Sequence, residues 1–105
     1  MNVQLSGHHV EVTPAIRDYL HEKLIRVKRH FDQAIEVQAT FSVERSFQKA
    51  ALRLHAKGHD FQAEDVEKDL YAAIDLVVDK LDKQVMKFKT KNQEHHSSVK
   101  RQAIE

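Results

Sequence analysis

The spacing of the apolar residues changes twice along the chain, and this change most restricts the fold. Between residues 16 and 31 apolar side chains recur every three or four positions, which predicts an amphipathic helix. In residues 36–44 and 52–57 they alternate with polar ones, which predicts half-buried strands. Helical spacing returns in residues 70–88. With a short first strand at residues 2–6, the predicted order is β-α-β-β-β-α.

Turn and cap residues support these boundaries. Thr13 and Pro14 are typical of a helix start, because a threonine hydroxyl caps free N–H groups and proline at the first helical position loses no hydrogen bond. Gly58 predicts a turn into a third, short strand, with Phe61 and Ala63 pointing inward. Polar residues on alternate strand positions indicate a sheet covered on one side only. We therefore predict an α+β fold with two helices packed on one face of a four-stranded, mainly antiparallel sheet.

Length and composition favour one soluble domain. The 105 residues include no cysteine, so the chain has neither disulfides nor thiolate metal sites. No apolar run approaches the ~20 residues that cross a bilayer, and the N-terminus lacks a signal-peptide pattern. A cytoplasmic location is the expectation. Residues 1–91 are predicted to form the domain, with the last helix ending near Lys91, and residues 92–105, which lack periodicity, a flexible C-terminal tail.

The net charge of +1 hides an uneven distribution. Residues 1–30 hold five Lys or Arg and three acids, and residues 31–79 hold five and ten. Residues 80–101 hold seven and two. Basic charge concentrated at one end of a nearly neutral chain suggests a localised surface for a polyanion.

The last helix separates its charges by sign. At about 100° per residue its lysines fall on one flank of the apolar stripe and its aspartates on the other. A helix that is only solvated more often interleaves the two signs, although a lysine-rich helix end favoured by the macrodipole is the simpler alternative. The basic flank comprises Lys80, Lys83, Lys87 and Lys91, and the acidic flank Asp75, Asp79 and Asp82.

The first helix carries a similar basic flank, formed by Lys23, Arg26 and Arg29, while Arg17 and Lys28 lie on its other side. If the two helices pack side by side, their basic flanks could line one groove. Such a groove would suit phosphates, since each cation neutralises one and releases condensed counterions. The sequence does not say which flanks face each other.

The sequence gives little support to metal binding, catalysis or base stacking. The eight histidines include two adjacent pairs, but no spacing typical of a metal site, so no metal and no cofactor are expected. No phosphate-binding loop, cysteine nucleophile or serine elbow is present, and an enzyme is not expected. Four of the phenylalanines fall at core positions, Phe47 in a turn could be exposed, and core packing is expected for Tyr71. Without an exposed aromatic pair, recognition of backbone and shape is predicted.

Two segments resemble a known family. The run Asp69-Leu70-Tyr71-Ala72-Ala73-Ile74-Asp75, followed by Asp79-Lys80-Leu81, Gln84 and Lys87, is similar to the signature helix of the ribosome hibernation promoting factor / ribosome-associated inhibitor family. The opening Val10-Glu11-Val12-Thr13-Pro14-Ala15-Ile16-Arg17 resembles the same family, and the likeness covers residues 1–91.

The resemblance implies a fold like that of a double-stranded RNA-binding domain. It also implies binding in the mRNA and tRNA channel of the small ribosomal subunit, where the protein excludes mRNA and the A- and P-site tRNAs and keeps idle ribosomes inactive. The rRNA-contacting positions of the family fall on the same residues that form the basic flanks when each helix is read at about 100° per residue. These residues are Lys23, Arg26, Arg29, Lys80, Lys83, Lys87 and Lys91.

The resemblance leaves the subtype open. Long members of the family carry a second, dimerising domain, and this chain stops at Glu105, so a short form of the hibernation promoting type is expected. The alternative is an inhibitor that holds single ribosomes inactive without pairing them. From other classes, a general protein-interaction module with a basic helix flank and a free-RNA chaperone remain open. The expected partner is the small subunit and its rRNA, with no membrane, no small-molecule substrate and a monomer off the ribosome.

Overall fold

In the computed structural model the chain forms a four-stranded sheet with two helices. The structure describes residues 1–31, 34–56 and 58–104, and side chains within these ranges up to residue 89. The elements are β1 (Asn2–His8), α1 (Pro14–Lys28), β2 (Glu36–Glu44), β3 (Phe47–Ala56), β4 (His59–Glu67) and α2 (Leu70–Ile104). Their order confirms the predicted β-α-β-β-β-α sequence and the α+β class.

The strands lie in the sheet in chain order. β1 runs parallel to β2, and the β2–β3 and β3–β4 pairs are antiparallel. The parallel pair needs a crossover, which α1 supplies, while the other strands are joined by short turns. At one turn Gly58 has φ +70°, a left-handed conformation that glycine adopts without steric cost. The sheet is mainly antiparallel, as predicted.

The core lies between the sheet and the helices. Alternate residues of the strands are buried, among them Val37, Phe41 and Leu54, and they pack with the apolar stripes of both helices. In α1, Leu20 and Leu24 are fully buried. The helix starts as predicted, because the Thr13 hydroxyl accepts a hydrogen bond from the Ile16 amide at 3.2 Å and proline occupies the first turn. The opposite face of the sheet carries the polar residues.

Several boundaries differ from the prediction: β1 continues to His8 instead of ending at residue 6, and β3 begins at Phe47, which was predicted in a turn, instead of at residue 52. β4 has nine residues instead of a short segment, because it pairs with β3 over its whole length, from His59 opposite Ala56 to Glu67 opposite Gln48. α2 continues to Ile104, past the predicted end near Lys91. No proline or glycine interrupts residues 92–104, so the backbone can continue the helix without an apolar stripe. The flexibility predicted for residues 92–105 stays a prediction.

Candidate nucleic-acid interface

The two helices lie side by side, and charged side chains follow the seam between them. Near its middle, Arg26 of α1 and Lys83 of α2 reach the same carboxylate, that of Asp79. The Arg26 Nη2 to Asp79 Oδ1 distance is 3.2 Å, and the Lys83 Nζ to Asp79 Oδ2 distance is 3.1 Å. The hydrogen bond from Lys83, with the charge of Arg26, holds the pKa of Asp79 below its ordinary value. Cations from two helices therefore meet at one ionised aspartate.

The end of the seam nearer the start of α2 combines charge with aromatic rings. The Tyr19 hydroxyl donates a hydrogen bond to Asp75 Oδ1 at 2.6 Å, and Lys23 Nζ lies 3.6 Å from the same oxygen. This hydrogen bond is the main reason that the pKa of Tyr19 rises to about 12. Tyr71 packs edge to face on Tyr19, with ring centroids 4.9 Å apart. The core position expected for Tyr71 is wrong, because this contact holds the ring at the surface, where the residue is 36% exposed.

The other end of the seam is more buried. Asp82 is the buried charged residue of the described part of the chain, with 8% of its surface exposed. Its carboxylate lies 3.4 Å from Arg26 Nε and 2.8 Å from His30 Nε2. A buried carboxylate needs such partners, since desolvation penalises an unpaired charge. The sequence placed Asp82 on an exposed flank, but the packing of α1 against that flank covers it.

The acidic flank of α2 therefore faces the basic flank of α1. This arrangement is electrostatically favourable, because it sets opposite charges on the two helices against each other. The lysine flank of α2 lies beyond the aspartates, on the side away from α1. The predicted cations lie on one helical layer. A row of aspartates, however, runs between the cations of α1 and the lysines of α2, and these carboxylates partly neutralise the cations beside them.

Lys80 lies on the side of α2 that faces the sheet. Its ammonium is 2.9 Å from Asp65 Oδ2 and donates to the Glu64 carbonyl oxygen at 3.3 Å. The hydrogen bond from Lys80 lowers the pKa of Asp65, helped by a bond from the Val66 amide. One turn further along, Gln84 donates to the Gln62 carbonyl oxygen at 2.6 Å. Together they tie α2 to the edge of β4, so Lys80 has a structural task beside any role in binding.

Of the remaining predicted cations, Arg29 is the C-cap residue of α1, and Lys87 and Lys91 lie in the middle of α2. Arg29 and Lys87 are exposed, and within the residues whose side chains are described neither has a carboxylate within 4.0 Å. The side chain of Lys91 lies outside the described residues. Arg17 and Lys28 are exposed on the other flank of α1.

The open face of the sheet offers a contrasting surface. By register it presents one row of Gln4, Gln38, Arg53 and Gln62, one residue from each strand. A shallow cavity of about 560 Å³ lies over Gln38, Arg53 and Gln62 of this row and reaches Lys80 and Gln84 at the edge. Phe47 is 43% exposed at one end, as the sequence suggested. No aromatic ring lies over the amide row in the described residues, so this surface lacks a platform for bases.

No metal site or membrane span is found within the described residues. No group of three or more His, Asp or Glu side chains there could hold a metal ion. No helix there is long and apolar enough to cross a membrane. The sequence missed the tyrosine pair and did not place the acidic flank of α2 between the two helices, although Tyr71 and Asp75 do lie four residues apart on one flank.

Comparison with known proteins places this arrangement in a family. Residues 3–93 match the family described as Sigma 54 modulation protein / S30EA ribosomal protein. A ribosome hibernation promoting factor of Azotobacter vinelandii is 47% identical over 91 residues, which are 87% of this chain and 85% of that protein. A ribosome hibernation promoting factor of Escherichia coli (strain K12) is 33% identical over 95 residues, covering 90% of this chain and all of that protein.

Solved structures agree with the sequence matches. The N-terminal domain of Thermus thermophilus Protein Y is similar at a TM-score of 0.80 and 37% identity, covering 84% of this chain and 99% of that one. A ribosomal subunit interface protein from Coxiella burnetii has the same fold, with a TM-score of 0.75, 24% identity and coverage of 86% and 99%. With a family match over residues 3–93 and relatives of this identity, the chain belongs to the Sigma 54 modulation protein / S30EA ribosomal protein family.

Proposed function

We propose that this chain is a ribosome hibernation factor that binds the small ribosomal subunit in its mRNA and tRNA channel and blocks translation. Its curated relatives are named ribosome hibernation promoting factors, and they match most of its length. The helical layer is rich in cations, which suits binding to a polyanion. A binding role in the cytoplasm, where ribosomes work, fits these observations.

The observation that carries the proposal is the meeting of Arg26 and Lys83 at Asp79. These cations come from helices far apart in the sequence, yet they reach one carboxylate on the outer side of the helix layer. Both side chains are about half exposed or more, so they remain accessible to a ligand. An RNA backbone that passes along the seam could contact both helices at once. Arg26 could fork onto two phosphate oxygens, while Lys83 would act as a point charge.

The aspartates of the seam affect how strongly each cation can bind a phosphate. Lys23, Arg26 and Lys83 are each held near an aspartate, so a phosphate has to compete with that aspartate for them. Arg29 and Lys87, with no carboxylate near them among the described side chains, gain more from each phosphate. We propose that rRNA first meets these outer cations and then displaces carboxylates along the seam. The proposed rRNA-binding residues are Lys23, Arg26, Arg29, Lys80, Lys83, Lys87 and Lys91.

By occupying the channel, the protein would inhibit translation without catalysing a reaction. A protein seated where mRNA and tRNAs bind excludes them by volume, and an idle ribosome stays inactive while it is bound. We propose the hibernation promoting type, which stabilises paired ribosomes. The alternative subtype holds single ribosomes inactive. Ribosome profiles on sucrose gradients, recorded with and without the protein, separate the two because paired ribosomes sediment faster.

Charge reversal tests the proposed site. Lys83→Glu combined with Lys87→Glu should abolish cosedimentation with small subunits, because both changes place negative charge against phosphates. The matched control is Arg17→Glu with Lys28→Glu, which changes the net charge equally on the other flank of α1. The control should bind nearly as the unmodified chain does. Normal cosedimentation of the Lys83 and Lys87 double variant would contradict the site.

Two further measurements address the rival functions. Binding to small subunits should weaken steeply with salt, because phosphate contacts release counterions. A shallow salt dependence would instead support an interaction module for an acidic protein. Competition between intact small subunits and naked duplex RNA tests the free-RNA alternative. Equal preference for the two would contradict a specific ribosome site.

A further inference from the structure

The seam contains an aromatic pair that the proposed phosphate contacts do not use. Tyr19 and Tyr71 are the two tyrosines of the chain, which has no tryptophan. Their rings meet at a centroid distance of 4.9 Å with an angle of 85° between the planes. One tyrosine belongs to each helix, so the pair spans the seam at the end nearer the start of α2.

Tyr71 is the more exposed ring of the pair, and Tyr19 is half-buried against the core. Tyr71 keeps 36% of its surface accessible, although the apolar residues beside it on α2, such as Ala73 and Ile74, are fully buried. An edge-to-face contact covers at most one face of each ring, so Tyr71 presents aromatic surface to the solvent. The Tyr19 hydroxyl is fixed by Asp75 at 2.6 Å. This hydrogen bond holds Tyr19 in place as a support for its neighbour.

A cation accompanies the rings. Lys23 Nζ lies 5.2 Å from the centroid of the Tyr19 ring, and it is also 3.6 Å from Asp75 Oδ1. Its side chain is 43% exposed. One turn further along α1, Arg26 continues the charged row. The exposed ring therefore stands at the end of a line of cations, an arrangement in which a base and its phosphate could be bound by neighbouring side chains.

We propose that Tyr71, supported by Tyr19, is a stacking site for one unstacked nucleobase of the bound RNA, with Lys23 beside it for the adjoining phosphate. The inference rests on the proposed function, and it adds base contact to what the sequence predicted as recognition of backbone and shape alone. Single bases that leave a helical stack bind to aromatic faces, and such stacking tolerates any base. The site therefore selects RNA that presents an unpaired nucleotide.

The test compares two RNA hairpins of equal charge. One carries a single bulged adenosine, and the other carries an abasic residue at the same position, so phosphate contacts are the same. The unmodified chain should bind the adenosine hairpin about fivefold to a hundredfold more tightly, the range expected for one stacked base. Tyr71→Ala should lose this preference and Tyr71→Phe should keep it, because phenylalanine retains the ring.

Intrinsic fluorescence supplies a direct readout. Because the chain has two tyrosines and no tryptophan, its emission reports on this pair alone. The adenosine hairpin should quench the emission, and the abasic hairpin should not. Tyr71→Leu serves as a second variant with an apolar side chain of similar bulk, in case Tyr71→Ala fails to fold. Equal binding of both hairpins by the unmodified chain, or a preference that survives both Tyr71→Ala and Tyr71→Leu, would overturn the inference.

The outcomes separate the stacking site from the proposed function. Lys83→Glu with Lys87→Glu should weaken binding of both hairpins equally and leave their ratio unchanged. If Tyr71→Ala leaves that ratio unchanged while the lysine variant loses small-subunit binding, the stacking site is wrong and the proposed function stands. If the lysine variant cosediments normally while Tyr71→Ala loses the preference for the adenosine hairpin, the site of the proposed function is wrong and the stacking site stands.

Discussion

The outer surface of the helices and the open face of the sheet both carry charged side chains, and they arrange them differently. On the sheet, the described charges are two cations and four carboxylates, and pairs form between neighbouring strands, as between Arg53 and Asp60 at 3.5 Å. On the helices, pairs join elements far apart in sequence, such as Arg26 and Asp79. The helix layer also carries exposed cations beyond those pairs, including Lys87.

The difference has a physical consequence for binding. A cation between strands at the sheet face has carboxylates beside it and in excess, so a polyanion gains little there and meets repulsion from the rest. A cation at the edge of the helix layer has few carboxylates near it, so it can exchange small counterions for phosphates. The aspartates in the seam pair with Arg26 and Lys83 and thereby orient both side chains. The same kind of mutation should therefore have a larger effect on the helix layer than on the sheet face.

Neutralising two cations on each surface should give the largest difference. Lys83→Gln with Lys87→Gln is expected to weaken binding to small subunits by on the order of tenfold to a hundredfold and to lower the salt slope by about two. Lys49→Gln with Arg53→Gln removes the same charge from the sheet face and should leave both quantities nearly unchanged. Filter binding at several salt concentrations measures both. Equal losses for the two variants would remove the distinction between the surfaces.

The second-largest difference between the two surfaces is expected in how much the loss of an aspartate destabilises the fold. Asp82→Ala removes the carboxylate partner of the mostly buried His30 and one of the two aspartate partners of Arg26, so we expect a loss of roughly 1–3 kcal/mol in the free energy of unfolding. Asp60→Ala removes a carboxylate with two partners on the open sheet face, where solvent screens ion pairs, and should cost much less. Urea unfolding compares the variants. If Asp60→Ala lowered the free energy of unfolding more than Asp82→Ala, the ion pairs of the seam would not be the ones that stabilise the fold most.

Removing an aspartate from the seam should have a smaller effect, of opposite sign. Asp79→Asn frees Arg26 and Lys83 from a competing carboxylate, so affinity for small subunits should rise severalfold. Asp60→Asn on the sheet face is the matched control and should leave affinity unchanged. The same binding assay decides between them. A loss of affinity with Asp79→Asn would mean that orientation of the two cations matters more than competition for them.

The sequence predicted what depends on local spacing. The alternation in β2, the cap at Thr13 and the stripe through Leu20 and Leu24 each reflect a period of two or 3.6 residues, and the structure contains all of them. The angular count also separated lysines from aspartates on α2 correctly. These features need no knowledge of how the elements pack together.

What the sequence could not supply is the partner of each flank. The burial of Asp82 and the exposure of Tyr71 both depend on the angle at which α1 lies against α2, and no residue of α2 alone encodes that angle. The same holds for Lys80, whose ammonium contacts Asp65 because α2 crosses the edge of β4. Tertiary packing therefore turned a predicted basic groove into a charged seam with cations beyond it.

Acid titration should show the smallest difference between the surfaces, and it isolates the cause of each lowered pKa. The pKa values of Asp79 and Asp60 lie below the ordinary 3.8, chiefly because of hydrogen bonds from Lys83 and His55 respectively. A carboxylate with a lowered folded pKa stabilises the fold above pH 3.8, and this contribution disappears as the pH falls through the folded value. Lys83→Met should raise the titration midpoint of Asp79 toward 3.8 and leave that of Asp60 unchanged, whereas His55→Phe should do the reverse. Carboxyl-carbon NMR chemical shifts follow each aspartate separately. A shift of both midpoints in either variant would mean that the two surfaces are electrostatically coupled, and the contrast between them would have to be abandoned.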